Sequence, residues 1–260
     1  MLRVAEIFYS LQGEGPTQGT PAVFLRLAGC NLLCGNPLNN DYSKPGKGAA
    51  WICDTIPVWL KGKEYTTKQL LKEFENKGFI KELDRGAHLI ITGGESLLQQ
   101  EGISEFLSNL TELNGKNKYF VEVETNCTIK PNKLYYKVNQ FNCSPKLSNS
   151  GMSKEKRYNI PTLYWHKENV CGFLYSNAVP PTRFSIFKFV VTKEEDLKEI
   201  IDEFVKPFEI EKNRIWLMPG ADTRERLNEL EPKVVEWCKN YGFNYSTRMH
   251  IQIWDKKTGV

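Results

Sequence analysis

Short runs with alternating hydrophobic and polar positions open the 260-residue chain. Val4-Ala5-Glu6-Ile7-Phe8-Tyr9 repeats with period two and predicts a strand, broken by Gln12-Gly13-Glu14-Gly15-Pro16. Ala22 to Leu27 predicts a second strand, which delivers the chain to Cys30. Residues 35–50 carry Gly35, Pro37, Pro45 and Gly46 ahead of Gly48 and predict an irregular loop. Thr66 to Gly78 sets Leu70, Leu71 and Phe74 on one helical face and ends on glycine. Strands and helices then alternate. Strands are expected over 88–92, 119–125, 141–144, 184–191 and 214–218, with a last one near Tyr245 to Ile253. Helices are expected over 103–113, 193–205 and 223–241. Residues 147–183 match no element well, mixing Ser, Asn, Lys and Pro with Tyr158, Tyr164, Trp165, Phe173 and Tyr175. They read as an inserted surface excursion, which could be a lid, an oligomer contact or an ordered loop without function.

This rhythm indicates an α/β fold built on a parallel sheet. About six such units cannot fill an eight-fold barrel, so a partial (incomplete) β/α barrel or an open sheet of about six parallel strands is expected. The reading is a single domain over 1–260, with insertions at about 35–52 and 147–183. Such folds place ligands at the C-terminal ends of the strands. Four polar motifs fall there: Gly93-Gly94-Glu95, Glu124-Thr125-Asn126, Ser144-Pro145-Lys146 and Met218-Pro219-Gly220.

Composition narrows the class. With 40% hydrophobic and 25% charged residues the chain reads as an ordinary soluble protein. No run of 18 apolar residues occurs, so no membrane span is expected. The first residues enter a strand pattern without the apolar core of a leader, so the protein is expected to stay in the cytoplasm. The formal charge of +4 is mild and its basic residues are dispersed, which tolerates anionic ligands but does not point to direct nucleic-acid binding.

Seven cysteines are an odd number, and a chain of this size is no small secreted scaffold, so metal or redox use outranks a disulfide framework. Cys127, Cys143, Cys171 and Cys238 are scattered and read as plain buried residues. Cys30, Cys34 and Cys53 lie within 24 residues. Three thiolates can hold three irons of a [4Fe–4S] cluster and leave the fourth iron open. Zinc would want a fourth protein ligand, and none of His88, His166 and His250 is near in sequence. Unliganded thiols remain the third reading.

The thiols and the Gly-Gly-Glu strand end together resemble the radical S-adenosylmethionine superfamily, whose usual signature is C-x3-C-x2-C. In that superfamily the open iron chelates the cofactor's methionine moiety, an electron splits the sulfonium, and the resulting 5′-deoxyadenosyl radical abstracts hydrogen. Here the second gap is 18 residues rather than 2, an excess of 16 (18 − 2). Either the loop bulges out and returns Cys53, or Cys34 is not a ligand. The Asp54-Thr55 tail behind Cys53 favours the bulge.

Phe8 to Gly15, Phe24 to Leu32, Cys53-Asp54-Thr55, Thr92 to Glu95, Glu124 to Asn126, Ser144 to Lys146 and His250 are similar to the 7-carboxy-7-deazaguanine synthase family. That resemblance runs from about residue 4 to the end, apart from 35–52 and 147–183. It implies ring contraction of 6-carboxy-5,6,7,8-tetrahydropterin to 7-carboxy-7-deazaguanine with loss of ammonia, a lyase step toward queuosine. It implies a [4Fe–4S] cluster on Cys30, Cys34 and Cys53, S-adenosylmethionine, and Mg2+ at Thr55. Ile52, Asp54, Gly94, Glu95, Ser144, Lys146, Met218 and Pro219 would meet S-adenosylmethionine. Leu11, Gln12, Gly13, Glu14, Arg26, Thr92 and His250 would meet the pterin, with Arg26 as a fork for its carboxylate. A homodimer and an electron donor such as flavodoxin or ferredoxin are implied too. Ser96, Cys127 and Met218 depart from the family's commoner proline, glycine and glutamine. Two other readings stay open: an activase making a glycyl radical on a partner protein, and a non-enzymatic iron–sulfur or zinc protein.

Overall fold

The computed structural model describes residues 1–114, 119–132, 134, 137–171, 183–257 and 259. Strands β1 (Leu2–Leu11) and β2 (Pro21–Leu27) form a hairpin, and α1 (Ile56–Trp59), β3 (Lys63–Tyr65), α2 (Thr67–Asn76) and α3 (Phe79–Asp84) follow. The alternating part runs through β4 (His88–Gly93), α4 (Gln100–Asn114), β5 (Val121–Thr125) and β6 (Gln140–Cys143). Next come α5 (Lys154–Arg157), α6 (Ile160–Glu168), β7 (Val170–Cys171), β8 (Arg183–Val191), α7 (Glu195–Ile200) and α8 (Lys206–Phe208). The chain closes with β9 (Ile215–Pro219), α9 (Arg224–Tyr241), β10 (Asn244–Tyr245) and α10 (Met249–Trp254).

One sheet collects the strands in the order β10-β9-β8-β6-β5-β4-β2-β1-β3, with β7 beside β8. Every pair from β2 to β10 along that path is parallel. The hairpin pair β1–β2 and the pairs β1–β3 and β7–β8 are antiparallel. The result is a mixed, mostly parallel α/β sheet.

The middle strands are buried on both faces, β4 as an apolar run and β5 and β6 with Glu122, Gln140 and Asn142 enclosed as well. Leu89, Ile90 and Ile91 of β4 are all fully enclosed. Leu89 and Ile91 join the main core with Phe74 and Phe106, whereas Ile90 packs on the opposite face with Ala22 and Phe24. Helix α2 starts where its pattern predicts, at a reciprocal cap between Thr66 and Gln69. Thr223 caps α9, which ends at Gly242 with φ of 71°.

Two sequence expectations are corrected. The last strand, expected to run to Ile253, stops at Tyr245, and residues 249–254 are helical. Beyond β10 no further strand pairs among the described residues, so the chain turns back over the sheet. Ser246 Oγ accepts from Gly15 N at 2.8 Å, and Met249 N donates to Gly13 O at 3.0 Å. The alternation of Met249, Ile251 and Ile253 mimics a strand, but only Ile251 enters the core. The second correction concerns 147–171, which holds two helices and a strand rather than an irregular excursion. Helix α6 buries Thr162, Leu163 and His166. Its apolar residues fall all round the helix, so no amphipathic stripe marks it. Residues 172–182 of that segment, Phe173 and Tyr175 among them, lie outside the described residues.

Arg214 fastens α6 to the sheet. It is 1% exposed and donates to the carbonyls of Ser185 (2.9 Å), Lys167 (2.7 Å) and His166 (2.7 Å). Its guanidinium also lies 5.4 Å from the Phe187 ring centroid. Arg214→Met would take a charged donor away from three carbonyls, of which His166 O keeps only Asn169 N, so a loss of about 3 kcal/mol is expected. A lowered urea midpoint with unchanged slope would show it.

Candidate functional site

A cavity of about 760 Å³ opens at the C-terminal ends of the parallel strands, with Cys30, Cys34 and Cys53 all on its wall. Backbone geometry brings them there. Gly29, at φ 91°, donates to Trp59 O and turns the chain out of β2. Glu95 N donates to Gly29 O at 3.0 Å, and Gly94 sits so close that a Cβ would lie 2.6 Å from Cys30 Cβ. The loop after Cys34 leaves through residues with positive φ (Asn36, Asn39, Asn40) and returns, with Cys53 N donating to Cys34 O at 3.2 Å. Gly35 N and Ala50 N donate to the carbonyls of Ser150 and Asn149, so the bulge is tied at both ends. Burial pushes the Cys30 thiol up to about 11 and the Cys34 thiol up to about 12. Such thiols would release protons on taking up metal. Cys53 Sγ lies 3.2 Å from Thr55 Oγ1, which stands at the start of α1.

Charged side chains line the same cavity. Lys188, in the middle of β8, is 2.5 Å from Glu14 and 3.9 Å from Glu124. Arg248 reaches Glu14 at 3.2 Å and Asp54 at 2.6 Å. Burial alone would push Glu14 up, but Lys188 and Arg248 outweigh it and hold the carboxyl well below the usual carboxylate range. Asp54 is likewise held down against burial by Arg248. Burial, then Arg248, lowers His250 and so favours its neutral ring. The His250 ring covers Gly13, where a Cβ would stand 2.7 Å from Nδ1.

Arg26 donates from Nε to Glu6 at 2.6 Å and lies 5.6 Å from the Phe8 ring centroid. Gln12 Nε2 donates to the fully enclosed Glu122 at 3.4 Å, which also accepts from Thr17 and Asn142. Thr92 Oγ1 donates to Glu124 at 2.9 Å, and Lys146 Nζ donates to Ser144 O and Oγ, each at 2.7 Å.

Leu11, Ile52, Gly94, Ser144 and Met218 also line the cavity, as do the other candidate residues apart from Glu95 and Pro219. Glu95 is fully enclosed and accepts from Leu97 N, Thr125 Oγ1 and Asn126 N, so it ties two strand ends together. Pro219 pairs with Val191 inside the sheet. Lys188 and Arg248 are lining residues that the sequence reading did not name, whereas Glu124 and Asn126 belong to a strand-end motif that it named without giving either a role. Lys188 had a signal, since it interrupts the apolar run 184–191 as Arg26 interrupts 22–27. Arg248 had none short of its position in the fold.

No family model matches the chain. It is 31% identical over 262 residues to the 7-carboxy-7-deazaguanine synthase of Pyrobaculum aerophilum, covering 99% of this chain and 97% of that one. The enzyme of the same name from Rhodopirellula baltica is 27% identical, covering 100% and 89%. That from Hyperthermus butylicus is 29% identical, covering 97% and 93%. The fold is similar to that of the crystal structure of QueE from Escherichia coli, with TM-score 0.61 at 22% identity over 96% of this chain and 94% of that one.

Lys188→Met would leave Glu14 with one cation, and a loss of about 3 kcal/mol at neutral pH is expected for a broken buried pair. Glu14 is held below its ordinary value when folded, so this stabilisation is full at neutral pH and disappears as acid protonates the carboxyl. Urea melts of both proteins should therefore converge on acidification; a gap independent of pH would assign the loss to packing.

Proposed function

The chain belongs to the 7-carboxy-7-deazaguanine synthase family, and we propose that the cavity described above carries out that family's reaction with the residues assigned below. The protein is a radical S-adenosylmethionine enzyme that contracts a pterin ring to a 7-deazapurine, a step toward queuosine. The observation that carries the assignment is the meeting of three thiols with an ionised Glu14, between Lys188 and Arg248, in one cavity.

The donor set fits an iron–sulfur cluster. Three thiols of one short segment face the cavity without a histidine among them, which leaves one corner for an exogenous ligand. Cluster and S-adenosylmethionine, when bound, supply a hydrogen-abstracting radical. Gly94 lets the backbone approach closely, while Ser144, Lys146, Ile52, Asp54 and the Met218-Pro219 strand end border the same space. Glu95 contributes indirectly, by holding Thr125 and Asn126.

The pterin site is Leu11, Gln12, Gly13, Glu14, Arg26, Thr92 and His250. Arg26 spends Nε on Glu6, and its two terminal nitrogens, without a hydrogen bond among the described residues, are a fork for the substrate carboxylate. Glu14, kept anionic, accepts from amide and amine N–H groups on the pterin edge. His250, whose surroundings favour the neutral ring, can donate or accept without adding charge. The Thr55 hydroxyl and the substrate carboxylate are hard oxygen ligands suited to Mg2+.

The same reading takes the sheet as a partial β/α barrel in a single domain over 1–260, with insertions at 35–52 and 147–183. It also takes the working form as a cytoplasmic homodimer reduced by a flavodoxin or ferredoxin. No described helix is long and apolar enough to cross a membrane.

Reconstitution with iron and sulfide under anaerobic conditions, then incubation with 6-carboxytetrahydropterin, S-adenosylmethionine, Mg2+ and reductant, should yield 7-carboxy-7-deazaguanine by mass spectrometry. Cys34→Ala should lose both product and cluster absorbance. Cleavage of S-adenosylmethionine without that product would mean a different substrate. Thr55→Val should raise the Mg2+ needed for half-maximal turnover at unchanged iron content; an unchanged Mg2+ dependence would remove Thr55 from that site.

A further inference from the structure

Behind the strand ends that wall the cavity, three donor side chains meet without a part in the reaction. Cys127 follows β5, Cys143 ends β6, and His166 stands on α6, each fully buried. One donor atom from each lies within 4.8 Å of the other two. None of the three lines the cavity. We propose that Cys127, Cys143 and His166 bind one zinc ion, which fastens α6 to the ends of β5 and β6.

The imidazole supplies an observation independent of the thiols. Its Nδ1 is 3.0 Å from Ser185 Oγ, which also accepts from Asn169 Nδ2 at 2.9 Å. Its Nε2 is buried without a hydrogen-bond partner. A neutral ring with its proton on Nδ1 satisfies Ser185 and leaves an Nε2 lone pair in a dry interior, which is the form a metal takes up. Orphaned polar atoms of this kind are costly unless something satisfies them. Cys127 holds φ of 64°, a region costly for a side-chain-bearing residue. That conformation is kept by Cys127 N on Thr125 Oγ1 (3.3 Å) and by Asn159 N on Cys127 O (3.0 Å).

Ligand chemistry selects the ion. Two sulfurs and an imidazole nitrogen suit zinc and disfavour magnesium or calcium. Two thiolates balance the charge of Zn2+, so the assembly is neutral in an apolar core. On binding, two S–H bonds break, two protons leave to solvent and two Zn–S bonds form, with zinc divalent throughout. Three donors come from the chain, and the fourth position of the tetrahedron is left to an exogenous ligand. The neighbours of the two cysteines, Asn126 and Ser144, do line the cavity, so the ion would brace the site through the backbone.

A fully buried site loads as the chain folds, so the full chain is expressed in medium supplemented with zinc or cobalt. Elemental analysis of the iron–sulfur holoenzyme should give about one zinc per chain. A Cys30→Ala, Cys34→Ala, Cys53→Ala variant removes the cluster thiols. Grown with cobalt, it should show thiolate-to-cobalt charge-transfer bands and tetrahedral d–d absorption, which Cys143→Ser and His166→Gln abolish. Zinc content in those two should fall at least about tenfold. Three results would overturn the proposal: zinc at background in the holoenzyme, no thiolate–cobalt bands in the triple variant, or an intact mass showing Cys127 and Cys143 oxidised to a disulfide. The first and third read the unaltered protein, so a variant that misfolds does not decide the matter.

Discussion

The structure hangs on keeping the Glu14 carboxylate ionised where little water reaches it. An unpaired carboxylate so placed costs several kcal/mol or more, and would take up a proton instead. Lys188 from β8 and Arg248 from the approach to α10 prevent that, and Arg248 extends the pairing to Asp54 behind the third cysteine. Positions 14, 54, 188 and 248 are thus bound into one electrostatic unit that forms only when the hairpin turn, cysteine loop, sheet and C-terminal segment are all in place. Lys188 and Arg248 are largely consumed by internal carboxylates. Arg26, Lys146, Lys44, Arg226, Lys256 and Lys257 are the other cations on the cavity wall.

A second tie sets where the thiols stand. Glu95 collects three donors from its own turn and from β5, and its backbone N–H holds Gly29. Its charge is disfavoured by burial, which pushes the carboxyl up against the pull of those hydrogen bonds. The absence of a side chain at Gly94 lets the strand end touch the turn that carries Cys30. The motif Gly93-Gly94-Glu95 therefore acts as a backbone clamp beside the cysteines, and its acid faces into the protein rather than into the cavity.

Much of this was legible in the sequence, and the failures have physical causes. Strands β4, β8 and β9 are largely apolar, β5 and β6 alternate polar with apolar residues, and α2 and α9 carry caps at readable positions. Strand-end placement of ligand sites brought nearly all the candidate residues to one cavity. Helix α6 was illegible because its exposed face carries Ile160 and Tyr164, so no polar stripe sets it off from the buried Thr162, Leu163 and His166. The segment 249–254 was misread because alternation of three apolar residues cannot tell a strand from one turn of helix at a sheet's edge. Arg248 and the Glu122 network become visible only when residues more than a hundred positions apart are brought together.

The long gap between Cys34 and Cys53 is less of an obstacle than its length suggests. Closing a flexible loop costs in proportion to the logarithm of its length, so going from 2 residues to 18 adds about 2 kcal/mol. Backbone and side-chain hydrogen bonds contribute roughly 1 kcal/mol each. Four are in place here: Cys53 N to Cys34 O, Gly35 N to Ser150 O, Ala50 N to Asn149 O, and Trp51 Nε1 to Asn149 Oδ1. Asn149 is itself anchored, donating to Val190 O and to the buried Asp196 carboxylate at the start of α7. The loop between Cys34 and Cys53 and the turn at Asn149 and Ser150 therefore stabilise each other. The detour ends with Cys53 beside Cys34 because residues 149–150, just past β6, are held rigidly enough to receive it.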